Sequence, residues 1–124
     1  MTANHTRITV GTTIAGNPID LQVYTVTGAK AGKRVYIQSG MHGGEITYWI
    51  QHRLYNFLKQ HIVAGEVIFV PFAMPHAWEQ TSYFYTHGKF SLYDGRDFNY
   101  NFPGDLNGTL QERVTHHLFA LAKT

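Results

Sequence analysis

The sequence contains no cysteine, which excludes disulfides and thiolate metal sites and leaves the redox compartment unmarked. Charge is scarce as well: ten Lys/Arg and eight Asp/Glu give a formal +2, with no block of one sign. Binding to a phosphate backbone calls for a stripe of cations, so nucleic acid is not an expected partner. No apolar run reaches the roughly 18–20 residues that cross a bilayer, and no early stretch has the form of a signal peptide. No membrane association is therefore expected, and a soluble cytoplasmic protein is the default expectation. Internal repeats and low-complexity tracts are absent too.

What is present is the composition of a core former, 44% hydrophobic and 15% aromatic in 124 residues. That length fits a single domain over residues 1–124, since domains commonly run to about 100–150 residues. Eight histidines are many for such a chain, and imidazole is both a frequent metal ligand and the usual proton shuttle near neutral pH.

The pattern of apolar residues predicts an α/β fold, a partial mixed or parallel sheet flanked by helices. Thr6–Val10 and Ile19–Val26 are β-rich runs separated by Gly11 and the "AGNP" turn, reading as a hairpin or two successive strands. "RVYIQ" at 34–38 suits a strand covered on both faces. From Glu45 the period changes, and Ile46, Trp49, Ile50, Leu54, Phe57, Leu58 and Ile62 recur at three- and four-residue steps, which predicts one apolar helical face. "EVIFVPF" at 66–72 is again a strand, completing a β-α-β unit with a right-handed crossover. Residues 74–104 read as a long, aromatic-rich loop, and 110–122 as a second helix.

In an α/β sheet, ligands bind beyond the carboxyl ends of the strands, and residues 39–45, "SGMHGGE", occupy such an end. A metal bound by nitrogen and oxygen needs a neutral imidazole and an ionised carboxylate within about 2.0–2.2 Å of one point. His42 would lie in the turn and Glu45 in the first helical turn, pointing back toward it, with Gly43 and Gly44 making the bend. The ordinary reading is that Glu45 only complements the helix dipole.

Together, "GMHGGE" and the later "DFNYNFPG" at 97–104 resemble the zinc carboxypeptidase superfamily, and within it the succinylglutamate desuccinylase/aspartoacylase branch. The resemblance runs from about Gly16 to the C-terminus and implies the N-terminal portion of such a catalytic domain. It implies His42 and Glu45 as two of three protein ligands to one catalytic zinc. The third, a histidine, and the general-base glutamate belong to later segments of the family with no counterpart in residues 1–124.

Lys89 aligns with a family arginine that polarises the scissile carbonyl. Asn99 and Tyr100 align with an Asn-Arg pair that holds a substrate carboxylate. Tyrosine offers one hydrogen bond where arginine offers a fork, so carboxylate recognition there should weaken or change. Arg96 could restore a guanidinium if it turned inward; otherwise it is an exposed loop arginine. His116 and His117 lie within a predicted helix and read as ordinary helix residues, as His76 and His87 read as loop residues. Tyr83, Phe84 and Tyr85 could line a pocket wall, though such aromatic clusters more often pack a loop onto the core.

The function implied is zinc-dependent hydrolysis of amide bonds in N-acyl amino acids or peptides, by the deacylase or carboxypeptidase route. This chain alone is expected to be inactive, and its partner would be a small acyl amino acid or a peptide end. The alternative is a non-catalytic metabolite- or protein-binding domain of the same fold. Because a partial sheet exposes an edge and apolar surface, completion by a missing C-terminal segment or by a homo-oligomer is also expected.

Overall fold

The computed structural model describes residues 1–80 and 88–123; Tyr83, Phe84, Tyr85 and His87 therefore lie outside the described residues. Four strands form one mixed sheet. β1 (Thr2–Thr12) and β2 (Pro18–Thr27) make the expected antiparallel hairpin, with a register shift between Thr9 and Gly11. β3 (Lys30–Gln38) and β4 (Ala64–Val70) run parallel, joined through helix α1 (Tyr48–His61). β4 also pairs antiparallel with β2, so the order across the sheet is β1-β2-β4-β3.

The two faces of the sheet are covered differently. On one face, Leu21, Val23, Ile68 and Val70 pack against Met74 and Ala77 of the α2 region (Pro75–Glu79), Phe98, and Val114 and Leu118 of α3 (Leu110–Lys123). Helix α3 begins with a capping box, for the Thr109 N–H donates to Glu112 Oε2 at 2.8 Å and the Glu112 N–H to Thr109 Oγ at 3.3 Å. On the other face, Tyr55 of α1 meets Tyr24 and Phe69 edge-on, with ring centroids 5.4 and 6.0 Å apart.

Of the residues expected to form the apolar face of α1, Ile46, Trp49, Ile50, Leu54 and Phe57 are exposed, and only Leu58 and Ile62 are half-buried. Trp49, Ile50 and Phe57 are all more than half exposed, while Gln51 is buried and Tyr48, Tyr55 and Leu58 are half-buried. The periodicity was real, but it marks the outward side: what turns inward is Tyr55, edge-on to Tyr24 and Phe69, and Gln51, whose amide donates to Ser39 Oγ. The helix also starts three residues later than expected, because tight turns occupy 46–49 (Trp49 N–H to Ile46 O, 3.2 Å; Ile50 N–H to Thr47 O, 3.1 Å). Glu45 therefore precedes α1 instead of lying in its first turn, and the first turn carries no acidic residue.

The long loop contains two structured pieces, α2 and a short 3-10 helix at Phe98–Asn101. Here His76 is a core residue of α2, its ring 5.0 Å from that of Phe98, and among the described residues neither ring nitrogen has a hydrogen-bond partner. Burial pushes its pKa down to about 4 from the ordinary 6.5. Stability from a neutral His76 is thus complete above pH 6.5 and is lost as pH falls toward 4. Chemical denaturation of the protein and of His76→Leu should differ in pH dependence. Between pH 7 and 5 the wild type should lose about 2 kcal/mol more than the variant, and equal losses would contradict the assignment.

Candidate functional site

The turn between β3 and α1 is fastened on three sides. Ala73 and Met74 N–H groups donate to the carbonyls of Ser39 and Gly40 at 2.8 and 3.2 Å, and Trp78 Nε1 donates to the Gly40 carbonyl at 3.0 Å. Ser39 Oγ donates to the Pro71 carbonyl at 2.9 Å, which leaves the hydroxyl able only to accept from Gln51 Nε2 at 2.8 Å. Gln51 thereby pins α1 to the first residue of the turn. Glycine is required at 43 because its N–H donates to the Gly88 carbonyl at 2.8 Å, and a Cβ there would strike the Ala77 carbonyl and the Gly88 backbone.

This close approach brings the 88–101 segment under the turn. The segment folds back on itself, with Ser91 N–H to Arg96 O at 2.9 Å, Phe98 N–H to Lys89 O at 3.2 Å and a bridge between Phe90 and Asp97. Phe98 is fully buried, and Thr115 of α3 holds the Asn101 carbonyl at 2.8 Å. Asp97 caps the 3-10 helix by accepting from the Asn99 N–H at 3.0 Å.

The outcome is one imidazole held between two carboxylates from distant parts of the sequence. His42 Nδ1 lies 2.9 Å from Glu45 Oε1, and His42 Nε2 lies 2.9 Å from Asp97 Oδ1. Side-chain exposure is 16% for His42 and 12% for Asp97, against 41% for Glu45, so only the Glu45 side is open to solvent. Burial by itself would lower the His42 pKa, but hydrogen bonds donated to Asp97 and Glu45, reinforced by both negative charges, outweigh it and the net shift is upward. For Asp97, burial would raise the pKa. The bonds from His42 and the Asn99 N–H, with the His42 and Lys89 charges, reverse that and hold it below the usual carboxylate value.

His42 and Glu45 thus converge, as the spacing suggested, although by a pre-helical turn and not by a helix. Lys89 is brought close enough for its charge to act on Asp97, while its Nζ also sits 5.5 Å over the Phe90 ring. Asn99 is anchored to the site through its backbone. Tyr100 is 79% exposed. Arg96 is tied to α3, its guanidinium donating to Glu112 Oε1 at 3.0 Å and to Asn101 Oδ1 at 3.4 Å. His116 and His117 contact each other on α3 with ring centroids 5.7 Å apart.

Asp97 is the site residue that sequence reasoning left without a role. Its signal was its place at the head of "DFNYNFPG", but only the fold shows that it meets an imidazole 55 positions away. Among the described residues, no group of three or more His, Asp or Glu side chains is arranged around one point that could hold a metal ion. The reason is geometric: Asp97 and Glu45 engage opposite nitrogens of one ring, so they cannot share an ion. The Nδ1 and Glu45 donors do fit one. Two donors each about 2.0–2.1 Å from a tetrahedral zinc lie roughly 3.3 Å apart, a small opening of the observed 2.9 Å contact.

Residues 31–123 match the family model described as the succinylglutamate desuccinylase/aspartoacylase catalytic domain. Among solved structures, the fold is similar to a succinylglutamate desuccinylase/aspartoacylase family protein from Shewanella amazonensis, with TM-score 0.87 and 24% identity over 96% of this chain and 43% of that one. It is also similar to a succinylglutamate desuccinylase/aspartoacylase from Rhodobacter sphaeroides, with TM-score 0.68 and 26% identity over 94% of this chain and 34% of that one. A product-bound ectoine utilization protein from Ruegeria pomeroyi gives TM-score 0.75 and 20% identity over 97% and 37%. The chain therefore spans between about a third and somewhat over two fifths of the length of these structures. Among curated proteins there is no sequence match.

In metal-free protein the His42 ring should titrate above 6.5, the ordinary histidine value. Its contribution to stability is then complete below 6.5 and lost as pH rises through the elevated value. Asp97→Asn removes the strongest upward influence and should bring the pKa down, as followed by the ring-carbon NMR signals. An unchanged titration curve in Asp97→Asn would break the pairing.

Proposed function

The chain belongs to the succinylglutamate desuccinylase/aspartoacylase family, a family of hydrolases, and on that premise we propose that it carries the zinc-holding half of an amide-hydrolase site. The observation that supports this most is the division of labour on His42. One ring nitrogen is committed to a largely buried carboxylate, and the other faces Glu45 on the solvent side. With Nε2–H donated to Asp97, the neutral tautomer carries its lone pair on Nδ1, toward Glu45. A lone pair against a carboxylate is repulsive, so a cation belongs between them. In its absence a proton takes that place, which accounts for the upward pKa of His42. A carboxylate behind a ligating imidazole is the usual arrangement at metal sites, where it fixes the ring and raises its basicity.

His42 and Glu45 would hold the ion, and Asp97 would orient His42. A bound zinc supplies Lewis acidity toward a carbonyl and toward water. The residues of this chain would do the rest of what it can do. Lys89 places positive charge beside the site for an oxygen that gains negative charge, and Asn99 orients the acyl amino acid or peptide end. Arg96 serves substrate only if it leaves Glu112, and Tyr100 offers a single hydrogen bond from an exposed position. No third protein ligand is grouped with His42 and Glu45 around one point among the described residues, so this chain by itself is proposed to bind zinc without turnover.

A second reading, a metabolite-binding domain without catalysis, draws on the same two observations, the exposed Tyr100 and the engaged Arg96. Detection of hydrolysis of an N-acyl amino acid by a zinc-loaded longer form would discard it.

Zinc should raise the melting temperature of the chain at neutral pH with one ion bound. His42→Ala should abolish the shift, and Asp97→Asn should keep the stoichiometry but weaken binding about 10–100-fold. A zinc-induced shift of equal size in His42→Ala would remove the ligand assignment.

A further inference from the structure

The segment that delivers Asp97 to His42 is a single 3-10 turn, Phe98–Asn101, and a turn this short does not hold itself. Its backbone angles leave the helical range at Tyr100 (φ −94°, ψ 22°) and the chain is extended at Phe102, so no further turn brings N–H donors to the carbonyls of Asp97 and Phe98. One side chain takes that part. Asn101 Nδ2 donates to the Phe98 carbonyl at 3.0 Å and to the Asp97 carbonyl at 3.3 Å. The Asp97 carbonyl also accepts from the Tyr100 N–H at 3.0 Å, so both of its lone pairs are in use.

The Asn101 amide is engaged at both ends and therefore has one orientation. Oδ1 faces the Arg96 guanidinium at 3.4 Å, which can only donate, and Nδ2 faces two carbonyls, which can only accept. The Asn101 carbonyl accepts from Thr115 Oγ of α3 at 2.8 Å, and Arg96 donates in turn to Glu112 Oε1 of α3 at 3.0 Å. Asn101 is 5% exposed and Phe98 and Thr115 are fully buried, so the bonds among these three are interior and need no surface to stay open. A buried carbonyl that loses its donor is costly. The two that Asn101 serves belong to the residue that touches His42 and to the ring that anchors it.

We infer that Asn101 is a positioning residue for the His42 site: by fixing the Asp97 and Phe98 carbonyls it sets the direction of the Asp97 carboxylate, and through Thr115 it makes α3 the reference for the imidazole. The path is short. Asp97 Oδ1 accepts from the Asn99 N–H of its own turn at 3.0 Å and lies 2.9 Å from His42 Nε2. If the turn rotates, that oxygen leaves the ring, because it rides on the turn while His42 rides on the β3–α1 connection. Among the described residues Asn101 makes no hydrogen bond to His42 or Glu45, so it acts only through Asp97. Its effect on metal affinity rests on the zinc reading above, whereas its hold on the His42–Asp97 contact does not.

Two readouts test the inference, one of them independent of metal. In the metal-free chain the proton on His42 Nε2, bonded to Asp97, should give a resolved downfield NMR signal. Asn101→Leu keeps most of the side-chain volume and removes the donor, and it should erase or broaden that signal. Val26→Ala, at a fully buried position opposite Val67, should lower the melting temperature and leave the signal intact. Calorimetric titration with zinc alone should show binding about 10-fold weaker in Asn101→Leu. Adding Asn101→Leu to Asp97→Asn should cost nothing more, since a residue that acts through Asp97 then has nothing to act on. No such signal in the wild type, an unchanged signal in Asn101→Leu, or losses that multiply in the double variant would each overturn the inference. If the wild-type chain binds no zinc, the zinc reading fails and the His42 signal still decides the positioning role. If Asn101→Leu does not fold, Thr115→Val, which frees the Asn101 carbonyl, decides by the same signal: broadening supports the role and full retention overturns it.

Discussion

A single imidazole between two carboxylates organises this molecule. His42 touches Glu45 through one nitrogen and Asp97 through the other, each at 2.9 Å, and the three residues come from a turn, the start of a helical connection and a distant loop. Two negative groups cannot approach one neutral ring from both sides without electrostatic cost. The arrangement therefore demands a positive charge, either a proton on the ring or a cation at its open side. Only the Glu45 side is open, which gives the demand a direction.

The backbone around the ring follows from that constraint. For Asp97 to reach His42, the 88–101 segment must pass directly beneath the β3–α1 turn. It can do so because Gly43 and Gly88 lie against the Ala77 carbonyl with no Cβ between them. Phe98, fully buried beside Asp97, and the Thr115 bond to Asn101 anchor that segment to α3. Truncating Phe98 would cost about 3–5 kcal/mol by the usual measure of an emptied aromatic site, and Asp97 would lose its platform. The core on the α3 face and the candidate site are in this sense one structure.

Much of this was legible in the residues. β-branching and alternation marked all four strands, and the hairpin and β-α-β connections followed from the turns between them, but β3, expected at 34–38 with both faces covered, begins at Lys30 and is exposed as far as Val35 among the described residues. The "HGGE" turn was visible because its glycines bracket a ligand-capable pair at a strand end. Three things were not. The inward face of α1 was misjudged, since periodicity finds a stripe but cannot say which side of the helix the sheet takes; the Tyr55 ring contacts and the Gln51–Ser39 hydrogen bond set it. Glu45 was placed inside the helix because hydrophobic spacing begins at Ile46, whereas hydrogen bonding begins only after two tight turns. The role of Asp97 was hidden because a contact across 55 positions leaves no local pattern. The capping box at Thr109–Glu112, by contrast, is a local signal, and it tells why Arg96 finds Glu112 rather than the site.

The central claim is that one cation sits between His42 Nδ1 and Glu45, with Asp97 behind the ring. X-ray absorption at the zinc edge of the singly loaded chain tests it most directly. The account predicts a first shell with a single imidazole and otherwise oxygen, at about 2.0–2.2 Å. A shell without an imidazole, or one that keeps its imidazole in His42→Ala, would contradict it.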